Sequence, residues 1–314
     1  MNILENGKDF WSDFKNQMIT KGYSNEQFPD LDQFMSDYNI KNNSILVSIV
    51  IPVFNEENTV KDVLERLPKS KTTEVIVVDD HSTDNSLKQI SKVENHLNIR
   101  VIQHQKNMGY GKALLTGIKS SRGKIIVTMD SDGQHQPIDL YTLIKPILTN
   151  EADITVGSRY IGTYNYKLPV STRIGETVIE KFILMLFGQK IMNNQGGFRA
   201  FHRKTLKIFS DIKFEDYAFT TELLLKAALS EFKIKECPIH LLDREHGASK
   251  IILTKLMLNI LLCIGYYSIQ WVNRPHYKKW MIRRLQFLHK LPIYGKQRDI
   301  NKISPNLEKI ILVP

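Results

Sequence analysis

Two carboxylates one residue apart, Asp130 and Asp132, follow the apolar run Ile125-Ile126-Val127-Thr128-Met129 and precede Gly133-Gln134-His135-Gln136-Pro137. A β-branched run of this kind reads as a buried strand, so both acids fall on the loop where that strand ends. Hard divalent cations take oxygen ligands and commonly keep one or two protein carboxylates together with substrate phosphates; an Asp-x-Asp turn offers this without a closed cage. Gln134 adds a neutral oxygen, and Pro137 suits the first turn of a following helix. The same acids would also serve as helix caps, and so would Asp79 and Asp80, which follow Glu74-Val75-Ile76-Val77-Val78.

The elements that must position these residues alternate. Ile45 to Ile51 reads as a strand stopped by Pro52, and Asn55 to Asn58 leads into a helical face of Val60, Val63, Leu64 and Leu67, ended by Pro68. The unit repeats: a strand from Glu74 to Val78, a turn from Asp79 to Asp84, and a stripe of Leu87, Ile90 and Val93. Ile99 to Gln103 forms a third strand, and Gly109-Tyr110-Gly111-Lys112-Ala113 opens a helix carrying Leu114, Gly117 and Ile118. Its glycine spacing does not fit a dinucleotide fingerprint, and a close helix–strand approach or a site-lining loop accounts for it.

Beyond the Asp-x-Asp loop we expect a strand from Asp153 to Gly157 ending in Ser158-Arg159-Tyr160, a mobile Gly162-Thr163-Tyr164-Asn165, and an apolar helix around 174–187. A helix from Phe219 to Ser230, a strand from Lys233 to Leu242, a polar loop from Asp243 to Lys250 and an apolar stretch from Ile251 to Val272 complete the series. Such alternation predicts an α/β domain with a mainly parallel sheet, whose ligands sit beyond the carboxyl ends of the strands. The boundaries read as an N-terminal extension over 1–43, a main domain over 44–250, and an apolar interfacial helix with a basic tail over 251–314.

With 314 residues, 42% of them hydrophobic, the chain can bury a full core. Its two cysteines, Cys237 and Cys263, lack metal-site spacing, and Met1 to Phe10 does not read as a secretory signal, so a reduced, cytoplasmic setting is expected. The net charge of +10 is concentrated at the end: ten Lys and Arg stand against two acids between Asn273 and Pro314. No recognition module interleaves these cations, so a nucleic-acid partner is the weakest reading. Ile251 to Val272 is about the roughly 20 residues that a bilayer span needs, but Lys255, Asn259, Ser268 and Gln270 interrupt it. A span would also send the basic tail outward, against the preference for Lys and Arg on the cytoplasmic side. A helix lying on an anionic membrane face, with a peripheral protein, is therefore expected.

Taken in order, Ser48-Ile49-Val50-Ile51-Pro52-Val53-Phe54-Asn55-Glu56, Val77-Val78-Asp79-Asp80-His81-Ser82-Thr83-Asp84, Asn107-Met108-Gly109-Tyr110-Gly111-Lys112 and Asp130 to Pro137 closely resemble glycosyltransferase family 2, whose fold is called GT-A. Val156-Gly157-Ser158-Arg159-Tyr160, Gly196-Gly197-Phe198-Arg199 and Arg244-Glu245-His246-Gly247-Ala248-Ser249-Lys250 look like its dolichyl- and polyprenyl-phosphate sugar transferase branch. The resemblance covers about residues 45 to 255; His81 and the intrusion of Gln136 depart from the pattern.

The resemblance implies inverting transfer of a sugar from a nucleotide-sugar donor with Mg²⁺ or Mn²⁺. Pro52, Phe54 and Glu56 would line the nucleotide pocket, and Val78, Asp79 and Asp80 would hold base and ribose. Asp130, Ser131, Asp132 and Gln134 would gather metal and diphosphate, with Asp130, Asp132 and Gln134 as ligands, while Arg159, Arg244 and Lys250 would close over phosphates. A glycan or protein hydroxyl as acceptor needs a base, for which Asp216 and Glu222 are candidates. A lipid phosphate is already anionic and needs only cations such as Arg244 and Lys250, and it is the favoured acceptor.

Overall fold

The computed structural model describes residues 45–68, 70–93, 98–164, 170–214, 218–242 and 253–272. The chain divides into two units, Met1–Tyr267 and Ser268–Pro314, and the first holds the sheet and the site.

Seven strands form one sheet in the order β3-β2-β1-β4-β6-β5-β7. They are β1 Val47–Val53, β2 Thr73–Asp79, β3 Ile99–Gln103, β4 Ile125–Thr128, β5 Ile154–Tyr164, β6 Arg199–His202 and β7 Ile234–Leu241. The pairs β1–β2, β2–β3, β1–β4 and β5–β7 are parallel, whereas β6 runs antiparallel to both β4 and β5. The helices are α1 Val60–Glu65, α2 Ser86–Ser91, α3 Tyr110–Ser120, α4 Asp139–Leu148, α5 Val170–Phe187, α6 Phe219–Leu229 and α7 Leu253–Val272, with a 3₁₀ helix at Arg203–Phe209.

Every residue of β1, β2 and β4 is buried, as expected where helices cover both faces of a parallel sheet. Alternate side chains go to opposite layers. Val47, Ile49 and Ile51 pack with Val60 and Leu64 of α1, Ile90 of α2 and Ile144 of α4. Val50, Ile76 and Val78 pack with Ala113 and Leu114 of α3 and with Phe219 and Leu223 of α6. A Cβ on Gly117 would run into Val50 Cγ1 and come within 3.2 Å of Val78 Cγ2, so the glycine lets α3 lie close on the sheet.

Several elements differ from the sequence reading. Pro52 does not stop β1; the strand continues to Val53, with Pro52 in register with Val78. Since β4 ends opposite Val50, Pro52 has no ladder bond on that side to lose. The supposedly mobile Gly162-Thr163-Tyr164 belongs to β5, which resumes pairing at Thr163↔His240 after an irregularity. A Cβ at Gly162 would collide with the Ile239 backbone, so this glycine serves close strand approach. The short antiparallel β6 and the 3₁₀ helix were not foreseen: four residues carry little periodicity, and β6 exists because two neighbours pair with it.

Candidate active site

The sheet order reverses between β1 and β4, and the loops leaving the carboxyl ends of β1, β2 and β4 meet at this switch point, where open α/β sheets bind ligands. Side chains lace these loops together. Asn55 Oδ1 accepts from the Thr83 N–H at 2.8 Å, and the Asn55 N–H donates to Ser82 Oγ at 3.0 Å. Glu57 Oε2 accepts from Asn85 N–H at 3.0 Å, and Asp84 Oδ2 accepts from Glu57 N–H at 3.0 Å. Asn55 and His81 both adopt left-handed backbone, with φ of +57° and +65°, a conformation that costs non-glycine residues of order 1 kcal/mol. His81, the residue that departs from the family pattern, thus stands where a small residue would bend most readily.

Asp79 is 1% exposed and its carboxylate accepts the Ser82 N–H at 3.3 Å. Asp80 accepts from Met108 N–H at 2.8 Å and Gly109 N–H at 2.7 Å, and lies 2.7 Å from His104 Nδ1. Asp80 therefore fastens the loop that opens α3, and Gly109, at φ +90°, gives that loop its turn. Val78 is fully buried among α3 side chains, so its side chain faces the core, away from the loops. Phe54 lies at the surface of the β1 loop, and Glu56 Oε2 lies 3.0 Å from Thr59 Oγ1.

The Asp-x-Asp turn is pinned from beneath. Ser131 Oγ donates to Pro52 O at 2.8 Å, and Thr59 Oγ1 donates to Ser131 O at 2.8 Å. The Ser131 side chain, expected at the diphosphate, instead ties the turn to β1. Gly133 makes the bend at φ +81°, and Gln134 N–H donates to Asp132 Oδ1 at 3.1 Å. The Gln134 amide nitrogen donates to Leu242 O at 3.0 Å, anchoring the turn to the end of β7.

Asp130 is held by residues to which the sequence reading gave no role at the site. Tyr110 donates its hydroxyl to Asp130 Oδ1 at 2.8 Å, and His135, its ring tilted by 37° against Phe198 with centroids 4.9 Å apart, has Nδ1 3.8 Å from Asp130 Oδ2. Burial, with the charge of Asp130, pushes the Tyr110 hydroxyl well above its usual range, keeping it a proton donor. A Cβ on Gly197 would lie 2.6 Å from Asp130 Oδ1, so the second glycine of Gly196-Gly197 makes room for the carboxylate. Behind it Arg199, 2% exposed, donates to the carbonyls of Gly196 at 2.8 Å, Thr220 at 2.9 Å and Asn194 at 2.8 Å. Burial brings the Arg199 pKa down to about 10, opposed by the nearby Tyr110 and Asp130. Tyr110 entered the sequence reading within the Asn107–Lys112 motif and Arg199 within Gly-Gly-Phe-Arg, neither with a role at Asp130.

Among the described residues no group of three or more His, Cys, Asp and Glu side chains is placed to hold a metal. Asp130 and Asp132 on one turn, with Asp130 29% exposed at its side chain, fit a hard cation whose remaining ligands are phosphate oxygens and water. Arg159 lies 2.6 Å from Glu176 Oε1, and Tyr160 donates to the other Glu176 oxygen. Arg159 is thus braced by α5.

Glu222 sits elsewhere. It is fully buried, and its carboxylate receives the N–H groups of Lys213 at 2.9 Å and Phe214 at 2.8 Å and the Tyr267 hydroxyl at 2.5 Å. A base needs an oxygen open to its acceptor, whereas Glu222 is a buried anchor between α6, the following helix α7 and the 213–214 loop. Asp216, Arg244 and Lys250 lie outside the described residues.

Residues 48–209 match the family model for glycosyl transferase family 2. The chain belongs to that family, and it is a nucleotide-sugar-dependent glycosyltransferase. It is 34% identical over 209 residues to an uncharacterized protein of Methanocaldococcus jannaschii, covering 65% of this chain and 84% of that one. It is 30% identical over 223 residues to UDP-N-acetylglucosamine–dolichyl-phosphate N-acetylglucosaminyltransferase of Methanococcus voltae, covering 65% and 89%. A dodecaprenyl-phosphate galacturonate synthase of Rhizobium johnstonii is 35% identical over 136 residues, 40% of each chain. Among solved structures, glucosyl-3-phosphoglycerate synthase of Mycobacterium tuberculosis with Mn²⁺, UDP and glucosyl-3-phosphoglycerate superposes with a TM-score of 0.56 at 20% identity, over 71% of this chain and 80% of that one. The same enzyme with Mg²⁺ and UDP gives 0.54 at 20% identity, over 71% and 79%. This likeness shows a GT-A-like fold with a mostly parallel central sheet.

Proposed function

We propose that this chain moves a sugar, with inversion, from a nucleotide-diphosphate donor onto a polyprenyl-phosphate-type lipid. The observation that carries this is the Asp130–Asp132 turn, braced by Tyr110 and Ser131 at the switch point of the sheet. Two relatives are named for sugar transfer on dolichyl or dodecaprenyl phosphate.

Asp130 and Asp132 would hold Mg²⁺ or Mn²⁺, which when bound supplies charge neutralisation for the departing nucleoside diphosphate. Tyr110 keeps the Asp130 carboxylate aimed, and the Gln134 N–H keeps Asp132 aimed. The carboxyl ends of β1 and β2, with Pro52 and Asp79, and the loops after them, with Phe54, Glu56 and Asp80, form the walls for nucleoside and ribose. Arg159, together with Arg244 and Lys250, would pair with phosphate oxygens.

Glu222 is committed to structural donors, which favours an acceptor that is already anionic over a hydroxyl that must lose a proton. The test is a panel of nucleotide sugars scored for donor consumption with Mn²⁺, with a short polyprenyl phosphate or a free glycan as acceptor. One donor should be consumed faster when the lipid phosphate is added. Acceleration by the glycan alone would overturn the acceptor assignment and return attention to Asp216 as a base.

A further inference from the structure

The carboxyl end of β7, the last strand of the sheet, is held by the segment that carries the Asp-x-Asp turn. Leu242 N–H donates to Gln134 O at 3.0 Å, and the Gln134 amide nitrogen returns a bond to Leu242 O at 3.0 Å. Leu241 forms an antiparallel bridge with His135. One residue earlier, His240 N–H donates to Asp139 Oδ2 at 2.7 Å, and His240 Nδ1 lies 3.4 Å from Asp139 Oδ1. Three successive residues, His240 to Leu242, are therefore gripped by Asp139, His135 and Gln134.

The grip joins two parts of the site. On one side, Gln134 N–H donates to Asp132 Oδ1 at 3.1 Å and His135 Nδ1 lies 3.8 Å from Asp130 Oδ2, so the residues that hold β7 also reach both carboxylates of the turn. On the other, Arg244 follows Leu242 by two residues, a reach of at most about 7 Å along the chain. Asp139 is the fixed point between them: it begins α4 and is fully buried. Burial raises its pKa, and the hydrogen bonds from His240 oppose that rise. A carboxylate taken out of water is tolerated where such bonds hold it, and these bonds hold β7 in return.

We propose that Asp139 and His240 are positioning residues for sugar transfer: they lock the end of β7 to the Asp-x-Asp turn and so set where Arg244 can meet phosphate oxygens. This rests on the phosphate role proposed above for Arg244; Asp139 and His240 themselves touch neither donor nor acceptor. Misplacing a group that clamps a substrate by about 1 Å can cost on the order of 100-fold in rate, and the clasp stands two residues from Arg244.

The test is a double-mutant cycle on the full chain, following labelled sugar transfer to a short prenyl phosphate at saturating Mn²⁺ for wild type, Asp139→Ala, Arg244→Ala and the two combined. Asp139→Ala should lower kcat/KM for the prenyl phosphate by about tenfold, while Mn²⁺ affinity without donor, read by electron paramagnetic resonance, stays within about twofold of wild type. In the Arg244→Ala background the same substitution should change kcat/KM by less than about twofold, because the group it positions is gone. Asp139→Asn keeps an oxygen for the His240 N–H and should recover most of the activity. His240→Ala leaves Asp139 in place and should show the same dependence on Arg244 with a loss of about threefold, which keeps the cycle readable if Asp139→Ala folds poorly. Losses that add in full to that of Arg244→Ala would overturn the clasp, as would a fall in Mn²⁺ affinity that matches the fall in transfer. Full activity of Arg244→Ala would overturn the clasp and the phosphate role of Arg244 together. Transfer by wild type to a free glycan but not to the prenyl phosphate would count against the acceptor reading alone, and the cycle is then read on the glycan.

Discussion

Asp130 is the residue whose setting says most about the chemistry, because a free carboxylate at a loop tip would have no fixed aim. The Tyr110 hydroxyl 2.8 Å away fixes it, while Arg199 holds the chain behind Gly197. Groups that orient a metal-binding carboxylate commonly contribute 10- to 100-fold in metal affinity. Tyr110→Phe should therefore weaken Mn²⁺ binding by about tenfold, read by electron paramagnetic resonance of free Mn²⁺ without donor; an unchanged affinity would remove Tyr110 from this role. The Asp-x-Asp spacing was legible in the sequence because both acids sit within one short turn. Tyr110 and Arg199 were not, since they reach Asp130 from α3 and β6 and only the sheet order brings those elements together. Glu222 was misread for the same reason: an acid in the first turn of a helix looks available until Lys213, Phe214 and Tyr267 are seen to close around it.

At the scale of elements, the parallel half of the sheet was readable from its buried β-branched runs, and the antiparallel insertion of β6 was not. The edge of β1 and β2 opposite the site has its own polar lock. Glu74, 1% exposed, accepts from Ser48 Oγ at 2.7 Å, Arg122 N–H at 2.7 Å and Arg122 Nε at 2.9 Å. Burial alone would raise the Glu74 pKa, but these hydrogen bonds and the Arg122 charge outweigh it and hold it below the ordinary 4.5. A depressed carboxylate pKa contributes stability that is present above the unfolded value and lost as pH falls through the folded one. Glu74→Gln should cost about 2 kcal/mol at neutral pH, measured by urea unfolding. The gap from wild type should narrow as pH drops below 4.5. A gap that stays constant across that range would mean the Glu74 charge plays no part.

For the whole molecule, the closed core predicts how its thiols behave. Cys237 and Cys263 are both buried and neither is in a disulfide, and burial pushes the Cys237 thiol up to about 12. Neither should react with a thiol-specific reagent at pH 8 in the native protein, and both should react at once in guanidinium; rapid native reaction would mean the sheet and helices open readily. The central claim is tested most directly by following transfer of labelled sugar from nucleotide-sugar donors to a short polyprenyl phosphate with Mn²⁺, comparing wild type with Asp132→Asn. The amide keeps the shape of the side chain and removes the charge that balances a cation. Wild type should form a lipid-extractable product from one donor, lose it to chelator, and exceed Asp132→Asn by about 100-fold or more with the fold of the variant intact. Full turnover by Asp132→Asn at saturating Mn²⁺, or no lipid product from wild type with any donor, would contradict it.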